Sequence, residues 1–246
     1  MKNFLKENIA LATSRRCPET KSFGASVATT VGDIHFIADQ TYFFPLYFYS
    51  EGQMSKDEST KSKRILNFTE EFLKAIKEII GKELAPEEIF YYIYAVLYSP
   101  TYRKRYEEFL KIDFPRIPLP PNYEIFKELS LLGKELVDLH LLKHPALSQT
   151  DVGFPQSGSN KVQKVWYDEE NQRVFINKEQ YFEGIPKEVW EYRIGAYQVM
   201  KKYLKDRKER KLSLDEINHY MKVAKAISLT IELQKRIDNI YNKIKI

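Results

Sequence analysis

The first fifty residues alternate apolar and polar positions and are rich in β-branched and aromatic side chains. Alternation places successive side chains on opposite faces of a strand, and these residue types pack well on a pleated surface. Strands are therefore predicted in NIALATS (8–14), ASVATTV (25–31), IHFIA (34–38) and TYFFPLYFY (41–49). The polar stretch SEGQMSKDESTKSKR that follows, 50–64, has almost no apolar residues and predicts an exposed loop or linker.

From residue 67 onward the apolar positions recur with a helical period. Asn67 is predicted to cap the first helix, with Glu70 at the capping-box spacing, and Gly81 is predicted to end it. Pro86 suits the first turn of a second helix. The very apolar sequence of that helix, IFYYIYAVLY, should be buried on most faces until Pro100 ends it.

Two more helices are predicted, over 102–112 and 123–142, because their apolar side chains recur at helical spacing. The proline-rich segment DFPRIPLPP, 113–121, separates them and should be extended, since proline cannot continue a helix. Ser213 and Glu216 have the spacing of a capping box and predict the start of a long C-terminal helix.

The region between these helices predicts a loop followed by a small hairpin. HPALSQTDVGFPQSGSN, 144–160, is rich in glycine, serine and proline and should be a long loop. KVQKVWYD, 161–168, and QRVFINK, 172–178, predict a hairpin-like pair of strands. Together the patterns predict an α+β fold, predominantly helical with small antiparallel β-sheets. A β-rich N-terminal segment, 1–50, would precede a helical and mixed domain, 67–246.

The composition is that of a folded protein without a membrane span. With 246 residues, 43% of them hydrophobic, the chain can bury a proper core. The mean hydropathy is −0.48, and no apolar run is long enough to cross a bilayer. The N-terminal apolar stretch is too short for a secretory signal, so the expected location is the cytoplasm. Cys17 is the one cysteine, so we expect a small core residue and neither an intramolecular disulfide nor a thiolate zinc site.

Positive charge is concentrated in one part of the sequence. The formal net charge of +5 by itself hardly distinguishes a nucleic-acid binder from an ordinary protein. In KKYLKDRKERK, Lys201 to Lys211, seven Lys or Arg face two acids, Asp206 and Glu209, which gives a local charge of +5. This basic run is therefore the strongest candidate for contact with an anionic partner.

The sequence lacks the motifs of a complete methyltransferase or an ATPase. It has no glycine-rich loop after a strand for an adenosyl cofactor, and no Asn or Asp followed by two prolines and an aromatic residue. PPNY, 120–123, has similar letters in the wrong order. His140 and His144 have i,i+4 spacing but no HExxH pattern around them. We therefore expect no catalytic residue, no metal site and no cofactor in this chain.

Several long stretches resemble one known family. PEEIFYYIYAVLYSPTYRKRYEEFLKIDFPRIPLP, 86–120, is similar to the C-terminal specificity region of Type ISP restriction-modification enzymes and related adenine-specific DNA methyltransferases. The stretch from VFINKEQYFEG to KVAKAIS, 174–228, resembles the C-terminal block of the same family. NIALATSRR and TYFFPLYFY resemble the part just after the methyltransferase core. One departure is Gly195-Ala196, where the family has two glycines.

The resemblance implies a DNA target-recognition domain. In full-length relatives this domain follows a methyltransferase, and sometimes nuclease and helicase domains, on one polypeptide. S-adenosylmethionine is then expected on the missing methyltransferase domain, and the β-rich segment 1–50 would follow that core. The predicted function is sequence-specific recognition of double-stranded DNA through the major groove, while the adjoining domain flips out an adenine and methylates it.

DNA recognition needs cations for phosphates and planar or amide side chains for base edges. The candidate phosphate contacts are Lys201, Lys202, Lys205, Arg207, Lys208, Arg210 and Lys211 in the basic run, with Lys161 and Lys164 earlier in the chain. The candidate base readers are Arg193, Tyr197 and Gln198 beside the basic run, and Gln156, Ser159, Asn160 and Gln163 in the flexible loop 149–164.

Other interpretations stay open. The basic cluster YRKRY, 102–106, offers cations beside aromatic rings for DNA contact, although its aromatic residues fit a plain amphipathic helix better. A different class of function is a protein-interaction module, in which the long C-terminal helix and the apolar strand Tyr42–Tyr49 dock on a catalytic partner. A stand-alone enzyme ranks third because the necessary motifs are missing.

Overall fold

A computed structural model of the chain describes residues 7–16, 23–30, 40–49 and 64–244. The described residues form two compact units. The first unit comprises the residues up to Val137 together with those from Gln234 onward, and the second unit is Asp138–Leu233. Each unit has its own strands, helices and buried side chains.

Several sequence predictions lie outside the described residues. They concern Cys17, the strand over 34–38 and all but the last residue of the polar stretch 50–64. The division of the chain into a segment 1–50 and a domain 67–246 therefore stays a prediction.

The first unit contains two small antiparallel sheets. In one, β1 (Ala10–Thr13) is the central strand between β2 (Ala25–Ala28) and β3 (Tyr42–Pro45). In the other, β4 (Tyr47–Tyr49) pairs with β5 (Arg64–Leu66). The predicted strand regions 8–14 and 25–31 are thus confirmed as shorter strands within the described residues. The region 41–49 was predicted as one strand, but it forms two strands, β3 and β4, which belong to different sheets.

Five helices follow these strands: α1 (Glu70–Ile80), α2 (Pro86–Tyr98), α3 (Pro100–Arg105), α4 (Glu107–Ile112) and α5 (Tyr123–His140). The single helix predicted over 102–112 is wrong, because Tyr106 has a φ of −107° and interrupts it. The chain there forms α3 and α4 instead. The predicted extended segment between α4 and α5 is confirmed.

The predicted N-cap of α1 is also wrong. Thr69 caps the helix, because its hydroxyl oxygen accepts a hydrogen bond from the Phe72 amide at 3.2 Å. The side chain of Asn67 instead donates to the carbonyl oxygen of Pro45 at 2.8 Å and so ties the helix entry to the preceding strands. At the other end Gly81 has a φ of 79°, a left-handed conformation that glycine adopts without strain, and the predicted helix end is confirmed.

Helix α2 is the centre of the first unit, as its apolar sequence predicts. Its tyrosines Tyr94 and Tyr98 are fully buried, and the Tyr98 hydroxyl donates to the carbonyl oxygen of Ala25 in β2. Helix α5 approaches α2 so closely at Gly133 that any Cβ atom there would collide with the carbonyl of Tyr91. The two backbones can meet only because position 133 has no side chain.

The second unit consists of short elements and the first part of a long helix. After a 3-10 turn (Pro145–Ser148) come β6 (Trp166–Asp168), β7 (Arg173–Phe175), β8 (Tyr181–Phe182), α6 (Lys187–Glu191), β9 (Arg193–Ile194), β10 (Tyr197–Gln198), α7 (Val199–Lys205) and α8 (Leu214–Tyr241). The strands β6, β7 and β8 form one antiparallel sheet, which confirms the predicted hairpin and adds a third strand. The strands β9 and β10 form a separate two-stranded hairpin.

The capping box predicted at the start of α8 is confirmed. The amide of Glu216 donates to the Ser213 hydroxyl at 3.1 Å, and the Ser213 amide donates to the Glu216 carboxylate at 3.0 Å. Behind this start, Tyr220 of α8 packs its ring against Phe182 of β8 with centroids 4.3 Å apart. The residues of α8 up to Leu233 belong to the second unit and the later ones to the first.

The observed architecture confirms the predicted fold class. In the described residues, eight α-helices accompany four small antiparallel sheets. None of the helices within the described ranges combines the length and apolar character needed to cross a bilayer.

Candidate nucleic-acid interface

The loop predicted to read bases is paired with the end of the basic run. Residues 160–162 run antiparallel to residues 209–212, and Lys161 forms a β-bridge with Lys211. Three backbone hydrogen bonds hold the pair: Leu212 N–H to Asn160 O at 2.9 Å, Val162 N–H to Arg210 O at 2.9 Å, and Glu209 N–H to Val162 O at 2.7 Å. We call these two paired segments the basic ribbon.

Two left-handed residues shape the basic ribbon. Asn160 has a φ of 55° and Glu209 a φ of 64°. Asparagine tolerates this conformation better than most residues, whereas glutamate rarely adopts it. The Glu209 carboxylate also lies 2.9 Å from the Lys161 ammonium. Both side chains are substantially exposed, so this ion pair contributes little to stability, and it neutralises Lys161 only in part.

Four candidate phosphate contacts are exposed and have no acidic partner among the described side chains. They are Lys164, Lys205, Lys208 and Lys211. Lys201 is half-buried on α7. Because none of the four exposed ammonium groups forms an ion pair with a described carboxylate, their charge is available to an anionic ligand.

The other cations of the basic run hold the second unit together. Lys202 pairs with Asp206 one helical turn away. The Arg207 guanidinium lies 3.6 Å from the centroid of the Tyr203 ring and 2.9 Å from the Glu216 carboxylate. Arg210 reaches the same carboxylate at 3.2 Å. These four acidic and aromatic contacts reduce the charge that the run presents to solvent.

Glu216 is the acid on which the start of α8 depends. A hydrogen bond from the Ser213 amide and the nearby guanidinium groups of Arg207 and Arg210 hold the pKa of Glu216 below its ordinary value. The carboxylate therefore stays ionised at neutral pH, caps the helix and fixes both arginines.

The hairpin β9–β10 leads directly into α7. Its turn contains Gly195, with a φ of 56°, and the Arg193 guanidinium donates to the Ala196 carbonyl at 2.8 Å across it. The Gln198 amide donates to the carbonyl of Trp190 at 2.6 Å. Tyr197 lies beside Lys202, whose ammonium is 5.4 Å from the ring centroid. Arg193 and Gln198 thus each use a donor within the fold, and Arg193 remains exposed.

In the loop, three of the four candidate readers face solvent. Gln156, Ser159 and Gln163 are exposed. Ser159 also accepts a weak hydrogen bond from the Lys161 amide at 3.3 Å. Asn160 differs, because its side-chain oxygen accepts from the amide of Gln180 at 2.7 Å.

The loop is also fixed at its far end. The amides of Gln163 and Lys164 both donate to the carbonyl oxygen of Ile176, at 2.8 and 3.3 Å. From Asn160 onward, therefore, its backbone is bonded both to the basic run and to the hairpin. The description of 149–164 as a flexible loop is wrong for this part. Sequence reasoning also missed the residues that hold it, Asn177 and Gln180.

The second basic cluster, 102–106, lies on α3, as its amphipathic pattern predicts. The Arg103 guanidinium donates to the carbonyl of Leu97 at 2.6 Å and covers the Tyr98 ring at 4.7 Å. Arg105 lies near the ring of Tyr241. Arg103 is therefore engaged in the packing of the first unit.

The two histidines with helical spacing have other partners. The Nε2 atom of His140 lies 3.0 Å from the Thr230 hydroxyl, and Nδ1 of His144 accepts from the Ala146 amide. Within the described ranges, no three His, Cys, Asp or Glu side chains lie close enough together to hold a metal ion.

The family model of the Type ISP C-terminal specificity domain matches residues 1–236. The chain belongs to this family. Membership confirms the resemblance seen in the sequence. The family's description assigns such a domain to the specificity of Type ISP enzymes.

Solved structures show the same fold in Type ISP enzymes and a related complex. "ATP-dependent Type ISP restriction-modification enzyme LlaBIII bound to DNA" matches with a TM-score of 0.74 at 20% identity, over 94% of this chain and 16% of that one. The DrdV–DNA complex, studied by cryoEM, matches with a TM-score of 0.73 at 22% identity, and the match covers 94% of this chain and 25% of that chain. A nuclease-deletion mutant of the Type ISP enzyme LlaGI, in complex with a DNA substrate mimic, matches with a TM-score of 0.67 at 20% identity. This match covers 94% of this chain and 18% of that chain.

This Type ISP specificity domain therefore spans a quarter or less of the length of those three solved chains. A comparison with curated proteins found no match.

Proposed function

We propose that this Type ISP specificity domain reads a short sequence in double-stranded DNA with the basic ribbon and the neighbouring end of α7. The observation that carries the proposal is the backbone pairing of 160–162 with 209–212. This pairing joins the loop that carries Gln156, Ser159 and Gln163 to the end of the basic run that carries Lys208 and Lys211.

The shape of the ribbon suits duplex DNA. The major groove of B-DNA admits either an α-helix or a two-stranded β-ribbon. The basic ribbon is a short antiparallel pair of segments held by three backbone hydrogen bonds around one β-bridge. In this proposal its exposed side, which carries Lys211, faces the groove.

The exposed lysines fit the phosphate backbone. Lys211 belongs to the ribbon and Lys164 follows it, while Lys205 is the last residue of α7 and Lys208 lies on the turn that leads into the ribbon. Each neutralised phosphate releases counterions, which is the main source of sequence-independent affinity. We assign these four residues to phosphate contact, with Lys161, Lys201, Lys202, Arg207 and Arg210 adding to the field around them.

The exposed amides fit base readout. Gln156 and Gln163 carry planar amides that form paired hydrogen bonds with adenine in the major groove, and Ser159 contacts several bases. We assign reading to these three first. The secondary candidates are Asn160, Arg193, Tyr197 and Gln198. The side chains of Asn160, Arg193 and Gln198 already form hydrogen bonds within the fold, and Tyr197 lies beside Lys202.

The chemistry belongs to an adjoining domain in this proposal. The three structural relatives are titled as DNA complexes, and two of them as restriction-modification enzymes, which supports DNA as the partner. We propose that a methyltransferase domain, holding S-adenosylmethionine, modifies an adenine in the site that this chain selects. Nuclease and helicase domains are further proposed partners, and the cytoplasm is the proposed location.

Amide hydrogen exchange with and without duplex DNA tests the proposed surface. We expect slower exchange on DNA binding in residues 156–164 and 201–212, and little change in α2 and α5. Protection confined to the first unit would overturn the assignment of the surface, while an absence of any protection would overturn DNA binding itself.

A protein-interaction role is the second candidate function, and the first unit favours it. Its surface exposes Phe109 at 69% and Ile112 at 62%, and the strand residues Tyr42 and Phe44 are about 40% and 39% exposed. A cavity of about 320 Å³ lies beside Phe44. Large exposed apolar side chains of this kind mark contact surfaces. Phe109→Ser with Ile112→Ser should weaken binding to a catalytic domain of the same system and leave DNA binding unchanged.

A further inference from the structure

A buried amide lies beneath the reading loop. Gln180 is fully buried immediately before β8, and its side chain lies between the hairpin and the loop. Its side-chain nitrogen donates to the Gln156 carbonyl at 3.0 Å and to the Asn160 side-chain oxygen at 2.7 Å. Its side-chain oxygen accepts from the Asn160 backbone amide at 2.7 Å. One side chain therefore binds the loop at two positions.

Asn177 completes this arrangement from the hairpin side. Its side-chain oxygen accepts from the Gln180 backbone amide at 2.8 Å. Its side-chain nitrogen donates to the Gln180 side-chain oxygen and to the Lys161 carbonyl, both at 3.1 Å. Asn177 is itself buried. Both amide groups are thus paired away from water, where a polar group without a partner is costly.

The loop also passes directly over the amide of Gln180. A Cβ atom at position 158 would lie 2.8 Å from the Gln180 side-chain carbon, which real side chains do not tolerate. Gly158 therefore permits the contact. The loop therefore packs directly on the Gln180 side chain at Gly158, between the two positions at which it is hydrogen-bonded to that side chain.

The same amide is linked to the phosphate-binding part. The backbone amide of Asn160 donates to the Gln180 side-chain oxygen, and the backbone carbonyl of Asn160 accepts a hydrogen bond from the Leu212 amide. Its left-handed φ turns the chain between these two bonds. Gln180 thus fixes the position of Gln156 and Ser159 relative to the basic run.

We infer that Gln180 is a positioning residue for sequence readout: it holds the loop 156–160 in the conformation that presents Gln156 and Ser159 to the bases, without touching DNA itself. The inference rests on the proposed function. Holding a loop in its bound conformation lowers the entropy lost on binding, and it does so only for the sequence that this conformation fits. Loss of Gln180 should therefore reduce discrimination between sequences and leave the sequence-independent binding to phosphates unchanged.

Two substitutions test the inference. Gln180→Glu preserves the size of the side chain and one acceptor but removes the two bonds that the nitrogen donates. Gly158→Ala leaves Gln180 intact and pushes the loop away from it. The specificity ratio is the affinity for the selected site divided by the affinity for random duplex. We expect this ratio to fall about tenfold or more in both variants. The dependence of random-duplex binding on salt should be unchanged.

Ile185→Val is the matched control. Ile185 is fully buried in the core of the same unit, so its truncation lowers stability without altering the loop. This variant should retain the wild-type ratio. If both test variants retain it as well, the inference is overturned. A ratio that falls in the control to the same extent overturns it too, because general destabilisation would then suffice.

Hydrogen exchange of the free protein separates this inference from the proposed function. In Gln180→Glu the amides of 156–161 should exchange faster than in the wild type, with no change in α7. Unchanged exchange would show that Gln180 does not hold the loop. If the wild-type chain shows no sequence preference, the proposed function is overturned. The positioning role of Gln180 in readout is then overturned as well, whatever the exchange result.

Discussion

Lys161 lies directly opposite Lys211 in an antiparallel β-bridge. Like charges that face each other in this way destabilise a strand pair by a few tenths of a kcal/mol up to about 1 kcal/mol. Glu209 offsets part of this repulsion by pairing with Lys161, whereas Lys211 has no acidic partner among the described residues. In the proposed complex, a phosphate bound beside both ammonium groups would remove the remainder.

Replacing the free lysines should weaken DNA binding equally on every sequence. For Lys205→Gln with Lys208→Gln and Lys211→Gln, we expect the slope of log affinity against log salt to become shallower by about 0.9 per lysine that contacts a phosphate. The measurement is fluorescence anisotropy of a random duplex at several salt concentrations.

Two single variants control this experiment. Lys127→Gln removes an exposed charge from α5 in the first unit and should leave the slope as it is. Lys202→Gln should change it little, because this ammonium is already paired with Asp206. A slope that is the same in the triple variant and the wild type would show that the basic run does not hold phosphates.

Replacing the exposed glutamines should change which sequence is preferred. Gln156→Ala and Gln163→Ala are each expected to cost about 1–3 kcal/mol of discrimination at one base pair, because each removes one amide that pairs with a base edge. Their salt slope should match the wild type. Selection of binding sites with each variant measures this, and Gln149→Ala, which replaces an exposed glutamine that is not a candidate base reader, is the control. Identical preferred sites in all variants would exclude these glutamines as readers.

The start of α8 should make stability depend on pH. The folded-state pKa of Glu216 lies below its ordinary value of 4.5. The carboxylate therefore stabilises the fold above that value, and the contribution disappears as the pH falls through the folded-state pKa. In urea unfolding, Glu216→Gln should be less stable than the wild type at neutral pH, and the difference should shrink as the pH falls below 4.5. A difference that does not change with pH over this range would contradict this role.

Close packing of α5 on α2 should make position 133 intolerant of any side chain. Alanine in a helix is normally more favourable than glycine by about 1 kcal/mol. Here Gly133→Ala should instead destabilise the protein by about 1–3 kcal/mol, because the new methyl group meets the Tyr91 carbonyl. Urea unfolding measures the change. Leu131→Ala, at an exposed position of the same helix, should alter stability much less, and a stabilised Gly133→Ala would refute the close approach.

Periodicity was sufficient to predict the longer elements. The spacing of apolar residues and the residues at the helix ends predicted α1, α2, α5 and the start of α8. The cap at Thr69 was missed because Asn67 has an equally suitable side chain, which the structure uses to bind Pro45 instead. Local propensity cannot distinguish these two uses of an asparagine.

The short elements of the second unit could not be predicted in this way. Strands of two residues such as β8 and β9 have no measurable period, and their conformation depends on the neighbouring strand. Their positions follow from contacts between residues that are distant in sequence.

The candidate site was predicted as a set of residue types but not as a surface. The charge of the basic run and the polar composition of the loop are visible in the sequence. The pairing of Asn160 with Leu212 is not, because no local pattern specifies a partner so far along the chain. Nor does sequence alone separate Lys205, which is exposed and has no acidic partner among the described residues, from Arg207, which Glu216 and Tyr203 hold.

The most direct test of sequence-specific DNA recognition is binding of this chain to a pool of randomised duplexes at two salt concentrations, followed by sequencing of the retained DNA. We expect retention that falls as salt rises, together with enrichment of one short motif. Salt-sensitive retention without any motif would contradict sequence recognition by this chain and leave only a grip on the backbone. No retention at either salt concentration would contradict DNA binding and favour the protein-interaction role.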